Sequence, residues 1–243
     1  MSSKKINGKK TVLITGAGSG IGLAMVKKFL VENWRVLAHY HTSDSELKAL
    51  QKKAANSLEL LQSDFKNAVE LNKFLGKLGS IFLDVLVNNA GDHDGSIDSK
   101  DRIADIQKTF LINTIAPALI AERVLVGMKA RKKGSIVNIS SIGAKYGSAL
   151  NCMFYSATKR GLEAITKSLA REGAAHNILV NTVRPGLTNT PFLYRVRKNI
   201  DERKKMIPLK RLAEPAEIAD FVFYLSANNS YITGEILTIA GGE

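Results

Sequence analysis

KTVLITGAGSGIG, residues 10–22, sets a buried strand, a glycine-rich turn and the opening of a helix end to end. Lys10–Thr15 is an apolar, β-branched run of the kind covered on both faces in a parallel sheet. Gly16 permits the tight turn, Gly20 lets backbone approach a pyrophosphate, and Gly22 lets helix and strand pack closely. A helix N-terminus favours the negative charge of such a group. The turn, with Ser19 and Ile21 between its glycines, is therefore a candidate dinucleotide site.

Working outward, short β-branched runs alternate with amphipathic stretches. Further strands are predicted at Arg35–Tyr40, Leu58–Gln62, Leu83–Asn88, Ser135–Ser140, Ile178–Val183 and 235–239. Helices are predicted over 20–32, from an Asp44 cap to Ala55, and over 67–78, 101–129, 154–175, 191–206 and 215–226. This alternation implies βαβ units and an α/β class: a single doubly wound Rossmann-type parallel sheet with helices on both faces. Residues 1–243 are expected to form one domain, with 1–9 a flexible basic arm. The ligand site should lie beyond the carboxyl ends of the strands.

The composition, 45% hydrophobic and 23% charged over 243 residues, excludes a disordered chain, a collagen and a coiled coil. The one cysteine, Cys152, allows no internal disulfide and points to a reducing compartment, the cytoplasm. The most apolar stretch, 109–121, contains Asn113 and Pro117 and stops at Glu122-Arg123, so no membrane span is expected. The polar, basic start lacks the apolar core of a signal peptide. Lys and Arg total 35 against 22 Asp and Glu, a net charge of +13. Such a surface either draws an anionic partner or is simply solvated. There is no zinc spacing, basic heptad helix or aromatic RNA-binding strand, so neither a metal nor a nucleic-acid partner is expected.

Tyr155-Ser156-Ala157-Thr158-Lys159 opens the helix predicted at 154–175. Residues four apart share a helix face, so an ammonium beside a phenol is expected to lower the tyrosine pKa towards working pH. The preceding strand ends in Ser140-Ser141, where a hydroxyl can reach a carbonyl substrate that the phenol also faces. A second Tyr-x-x-x-Lys, Tyr194 to Lys198, lies in a basic segment with no serine strand before it and reads as surface. Pro117 has no N–H and crowds the carbonyl of Asn113; the helix is expected to kink there and leave that carbonyl to water.

The T-G-x-x-x-G-x-G turn at 15–22, Asn88-Asn89-Ala90-Gly91, Tyr155 to Lys159, and Pro185-Gly186-Leu187-Thr188-Asn189-Thr190 together resemble the short-chain dehydrogenase/reductase family. The resemblance spans about 10–243 and implies an enzyme moving hydride between a nicotinamide cofactor and a carbonyl. It implies Tyr155 as proton donor, Lys159 as holder of the nicotinamide ribose, Ser141 as the hydroxyl that positions the carbonyl, and Asn113 as anchor of a proton relay. Ser141, 14 positions before Tyr155, is preferred to Ser140. The resemblance also implies cofactor contacts from Asp64 and Phe65 on the adenine side, from Asn89, Ala90 and Gly91, and from Pro185, Gly186, Thr188 and Thr190 on the carboxamide side. In relatives that prefer NAD, an acid stands where Tyr40 is. Tyr40, followed by the donors His41, Thr42 and Ser43, favours NADP(H) over NAD(H). A homotetramer is implied by the same resemblance.

Arg211–Ala219 and Tyr231–Glu235 look like the 3-oxoacyl-acyl-carrier-protein reductase branch, which implies a small-molecule or carrier-bound carbonyl substrate. In that branch, basic residues near the positions of Arg131 and Arg171 dock the acidic carrier. The expected substrate lid, 189–211, carries Arg195, Arg197, Lys198, Arg203, Lys204, Lys205, Lys210 and Arg211 against Asp201 and Glu202, which would suit an anionic substrate. A second basic cluster is Lys129, Arg131, Lys132 and Lys133. Two other readings are a pteridine reductase, from the HYHTS stretch at 39–43, and a non-catalytic dinucleotide-binding regulator. The presence of both Tyr155 and Lys159 favours an enzyme. Cys152 is expected at the pocket rim as a small packing residue.

Overall fold

The computed structural model describes residues 8–79, 81–93 and 97–243, so positions 1–7 of the expected basic arm lie outside the described residues. The strands are β1 (Thr11–Ile14), β2 (Arg35–Tyr40), β3 (Leu58–Gln62), β4 (Val85–Asn88), β5 (Gly134–Ile139), β6 (Ile178–Pro185) and β7 (Ile236–Ile239). Among the described residues they form one sheet of seven, ordered β3-β2-β1-β4-β5-β6-β7. Every pairing is parallel, with Val12 registered against both Val36 and Val85. Parallel neighbours need long crossovers, and these are the helices.

The helices are α1 (Gly20–Val31), α2 (Ser45–Ala54), α3 (Ala68–Leu78), α4 (Arg102–Phe110), α5 (Ala116–Arg131), α6 (Gly143–Tyr146), α7 (Met153–Ala174), α8 (Pro191–Val196), α9 (Ile200–Met206) and α10 (Pro215–Phe223). Successive strand residues point to opposite faces, so the chain builds two cores. Val12 and Ile14 face one core with α1 and α10, where Phe29 meets Trp34 and Phe223 edge to face at 5.2 and 5.1 Å. Leu13 and Leu37 face the other, with α3 and α5. The strand order reverses between β1 and β4, and it is there that an open α/β sheet leaves a crevice.

The helix predicted at 101–129 is interrupted by a π turn, Leu111–Ile115, with Pro117 in the first turn of α5. The irregularity expected from Pro117 thus takes the form of an inserted residue in the helical ladder. The whole rod, Arg102–Arg131, is 30 residues long and by length and composition could cross a membrane, which the run at 109–121 did not suggest. Its apolar side, through Ile120, Val124 and Met128, packs into the Leu13 core. The segment predicted as helix over 191–206 is two short helices, α8 and α9.

Candidate active site

A cavity of about 570 Å³ runs along the carboxyl ends of the strands. At one end it meets Tyr40, His41, Thr42, Ser43 and Asp64; at the other, Ser141, Tyr155 and Lys159.

The glycine turn forms the floor between them. Gly16 and Gly20 sit at φ +65 and +53, where side-chain-bearing residues are strained. A Cβ on Gly22 would lie 2.1 Å from Gly16 O. Ser19 makes no side-chain cap to α1, whose first turn holds no acid. The first N–H groups of α1, beside Ile21, are therefore left to an anion. The turn is held from β4: Thr15 Oγ1 accepts from the N–H groups of Asn89 and Ala90, both at 3.0 Å, and Asn89 Nδ2 donates to Thr15 O and Gly16 O, both at 3.0 Å.

His39 was missed by the sequence reading. Gly16 N–H donates to its Nδ1 at 3.2 Å, and its Nε2 lies 3.0 Å from Ser63 O. One ring nitrogen accepts and the other donates, so the imidazole is neutral. Burial pushes its pKa down to about 4. The available signal was a polar residue at an inward position of a buried strand. Phe65 stacks on this ring at 3.8 Å and is buried, so it supports the cavity floor from beneath. Asp64 Oδ1 accepts from Lys66 N–H at 2.8 Å and Oδ2 lies 3.9 Å from His41 Nε2. The cap of α3 is Asn67, which leaves Asp64 facing the cavity.

At the far end α7 carries Tyr155 and Lys159. Lys159 is buried, donates from Nζ to Ile139 O at 2.9 Å, and lies 5.9 Å from the centre of the Tyr155 ring. Gly91 leaves room for it: a Cβ there would come within 3.1 Å of Nζ. Burial pushes Lys159 down to about 8. Tyr155 goes the other way, up to about 12, because burial outweighs the pull of the Ser141 hydroxyl and the Arg197 guanidinium. Desolvation of the phenol, and not the Lys159 ammonium 5.9 Å from the ring centre, sets this direction. Ser141 is the serine turned to Tyr155, whereas Ser140 donates to Glu163 Oε1 at 2.7 Å.

Asn113 sits fully buried in the π turn. Its Oδ1 accepts from Asp92 N–H at 2.8 Å, and its Nδ2 donates to Asp92 O at 2.8 Å and Thr158 Oγ1 at 3.1 Å. Beyond β6, Gly186 N–H donates to Ile239 O at 2.8 Å and Thr188 Oγ1 donates to Gly186 O at 3.1 Å. Thr190 caps α8, its Oγ1 accepting from Leu193 N–H at 3.3 Å. Pro185, Gly186, Thr188 and Thr190 all line the cavity.

Asp92, His93 and Phe192 also line the site, and nothing in the sequence singled them out. Asp92 accepts from Lys66 Nζ at 2.5 Å and pairs with Arg195 of α8. The rings of His93 and Phe192 lie 6.3 and 6.1 Å from that of Tyr155. Cys152 lies in the cavity wall with its Sγ 3.0 Å from His93 Nε2. The second Tyr-x-x-x-Lys does not assemble: Tyr194 OH donates to Asn189 at 3.1 Å, and α8 ends before Lys198. Of the cations in 189–211, Arg203 pairs with Glu243 at 3.1 Å and Arg211 with Glu217 at 2.7 Å. In the second basic cluster Arg131 lies 3.9 Å over the Phe82 ring and donates to Leu83 O at 2.5 Å, which turns it inward.

An anion seat at one end of a cavity and a proton-bearing phenol beside an ammonium at the other suit one chemistry, and the molecule is a dinucleotide-dependent oxidoreductase. The family model for the short chain dehydrogenase matches residues 10–201. An acetoacetyl-CoA reductase from Acinetobacter sp. (strain RA3849) is 34% identical over 96% of this chain and 97% of its own. The 3-oxoacyl-(acyl-carrier-protein) reductase FabG of Aquifex aeolicus is 32% identical over 98% of both. Among solved structures, "ElxO with NADP Bound" superposes with a TM-score of 0.84 at 30% identity, covering 96% of this chain and 98% of that one. The chain belongs to the short-chain dehydrogenase/reductase family.

Proposed function

We propose that the protein is an NADP-dependent reductase that converts a carbonyl to a hydroxyl, and that its substrate is a 3-oxoacyl thioester. The observation that carries the chemistry is the convergence of Ser141, Tyr155 and Lys159 at one end of the cavity that begins at the glycine turn. Support for the thioester comes from relatives whose names specify acetoacetyl-CoA and 3-oxoacyl-(acyl-carrier-protein). Support for NADP comes from the absence of a carboxylate among Tyr40, His41, Thr42 and Ser43, and from the NADP-bound neighbour. A carboxylate there would repel a 2′-phosphate; the imidazole and hydroxyls can donate to one.

The uncapped first turn of α1 and the glycine cradle fit a pyrophosphate, and the cofactor, when bound, supplies hydride. The residues do the rest. Tyr155 Oη carries a proton in the ground state, in keeping with the upward push of desolvation on the phenol. It releases that proton as negative charge develops on the substrate oxygen. Ser141 Oγ donates to the same oxygen and fixes its place. Lys159 holds the nicotinamide ribose and adds positive charge beneath the phenol. Asn113, through the π turn, anchors the relay that returns a proton to Tyr155. The lid is proposed to lie over 189–211, with the basic surface steering an anionic substrate. A homotetramer in the cytoplasm is proposed on the family resemblance and the single cysteine.

The test is NADPH oxidation with acetoacetyl-CoA. Turnover is expected, and Tyr155→Phe should cut kcat by about 10²–10⁴-fold while NADPH still binds. Bound NADPH without turnover would remove the thioester, and a Tyr155→Phe variant as fast as wild type would remove the catalytic assignment.

A further inference from the structure

Glu163 is 1% exposed, and its carboxylate receives four donors from three chain segments. Ser140 Oγ donates at 2.7 Å, Arg184 donates from Nε at 2.8 Å and from its second terminal nitrogen at 2.7 Å, and Arg160 donates at 2.9 Å. Arg184 is itself 7% exposed. The arginine fork grips both carboxylate oxygens, the geometry with the least freedom. Burial alone would raise this carboxyl; Arg184 and Ser140 outweigh it and hold the group below the usual carboxylate range.

A buried ion pair is a weak device for stability, because desolvation offsets most of its attraction and an apolar pair often does as well. What an apolar pair cannot do is fix direction and register. The three segments tied here each carry part of the site. Ser140 precedes Ser141 at the end of β5. Arg184 precedes Pro185 and Gly186 at the end of β6. Glu163 is four residues after Lys159 and eight after Tyr155, on the same face of α7. One residue before Ser140, Ile139 O accepts from Lys159 Nζ, and one residue before Arg184, Val183 O accepts from Ser140 N–H at 2.8 Å.

We propose that Glu163, gripped by Arg184 and Ser140, is a positioning residue that sets Ser141, the Tyr155–Lys159 face of α7 and the Pro185–Gly186 loop in one register for the proton and hydride transfers. This rests on the proposed roles of Ser141, Tyr155 and Lys159. Glu163 touches no reacting atom; it acts through Ser140, through α7 and through Arg184. Small misplacements of reacting groups are costly, about a hundredfold in rate for 1 Å.

The experiment compares wild type, Glu163→Gln and Ser140→Ala. Glu163→Gln keeps the shape but leaves Arg184 without a counter-ion; Ser140→Ala deletes one hydroxyl and leaves the ion pair, so it folds even if the first variant does not. With acetoacetyl-CoA and NADPH, kcat is expected to fall about 30- to 100-fold in Glu163→Gln and several-fold in Ser140→Ala. KM and NADPH affinity should stay within about threefold, the pH profile of kcat should shift, and the isotope effect with 4-deuterated NADPH should rise. A fall in kcat that only tracks the folded fraction, with pH profile and isotope effect unmoved, would overturn the proposal. So would wild-type kcat in Ser140→Ala. If wild type itself turns over nothing, the proposed substrate falls, and the crystal structure of Ser140→Ala decides this inference. Displacement of Ser141 from Tyr155 supports it; wild-type geometry overturns it.

Discussion

With 4% of its surface exposed, Lys159 holds its ammonium away from water and has one backbone acceptor, Ile139 O, in exchange. The drop from 10.5 to about 8 corresponds to about 3 kcal/mol against the charged folded state at pH 7. The unfolded chain keeps the ordinary value, so the penalty is complete below pH 8 and fades as pH rises from 8 to 10.5. Lys159→Met should therefore be more stable than wild type at pH 7 by about 1–3 kcal/mol and should lose turnover. Urea unfolding at pH 7 and pH 10 would check this, since the advantage must shrink at the higher pH. A variant less stable than wild type at pH 7 would contradict it. Tyr155 and Lys159 were legible because a four-residue spacing guarantees a shared helix face. Their charge balance was not legible, because spacing carries no information about depth. His39 announced itself only as a polar residue at an inward strand position, and Asp92 not at all: each acts through partners, Gly16 and Ser63 for one, Lys66 and Arg195 for the other, that are distant in sequence.

At the scale of elements, α1 meets the turn that follows β1 through a backbone contact that only a missing side chain permits. A Cβ on Gly22 would sit 2.1 Å from Gly16 O and 2.8 Å from Asn89 Nδ2. The first is backbone, so Gly22→Ala must push α1 away from the turn or break the Asn89 clamp. We expect a loss of about 2–3 kcal/mol and a weaker grip on NADPH, read from the denaturation midpoint and from cofactor titration. A variant with wild-type midpoint and affinity would show that the contact is slack. Most elements were readable from apolar periodicity and their edges moved by only a residue or two. The π turn was read only as a kink, since Pro117 announces a defect in the hydrogen-bond ladder without specifying its form. The segment 191–206 likewise splits into α8 and α9, with Arg197 extended at the end of the first and Asn199 opening the second; no proline or glycine in the sequence marks that break.

For the molecule as a whole, an excess of 13 positive charges makes the compact state repel itself. Salt shortens the range of that repulsion, from about 30 Å at 0.01 M to about 10 Å at 0.1 M. Raising NaCl from about 10 to about 300 mM should therefore raise the thermal midpoint; a decrease would mean that the surface ion pairs outweigh the net charge. The doubly wound sheet was legible from the alternation of strand and helix. The strand order was expected only as a class, because it is a property of pairing and not of any one segment. That order has a consequence for how the chain is made. Gly16 to Gly22 and Tyr40 form one end of the cavity, while Ser141, Tyr155, Pro185 and Thr190 form the other. At about 5–20 residues per second, the ribosome releases the second end on the order of ten seconds or more after the first. Until Thr190 has emerged, a nascent chain has only part of the seat for its dinucleotide. The full gain in stability that a bound dinucleotide can give is thus open only to the finished molecule.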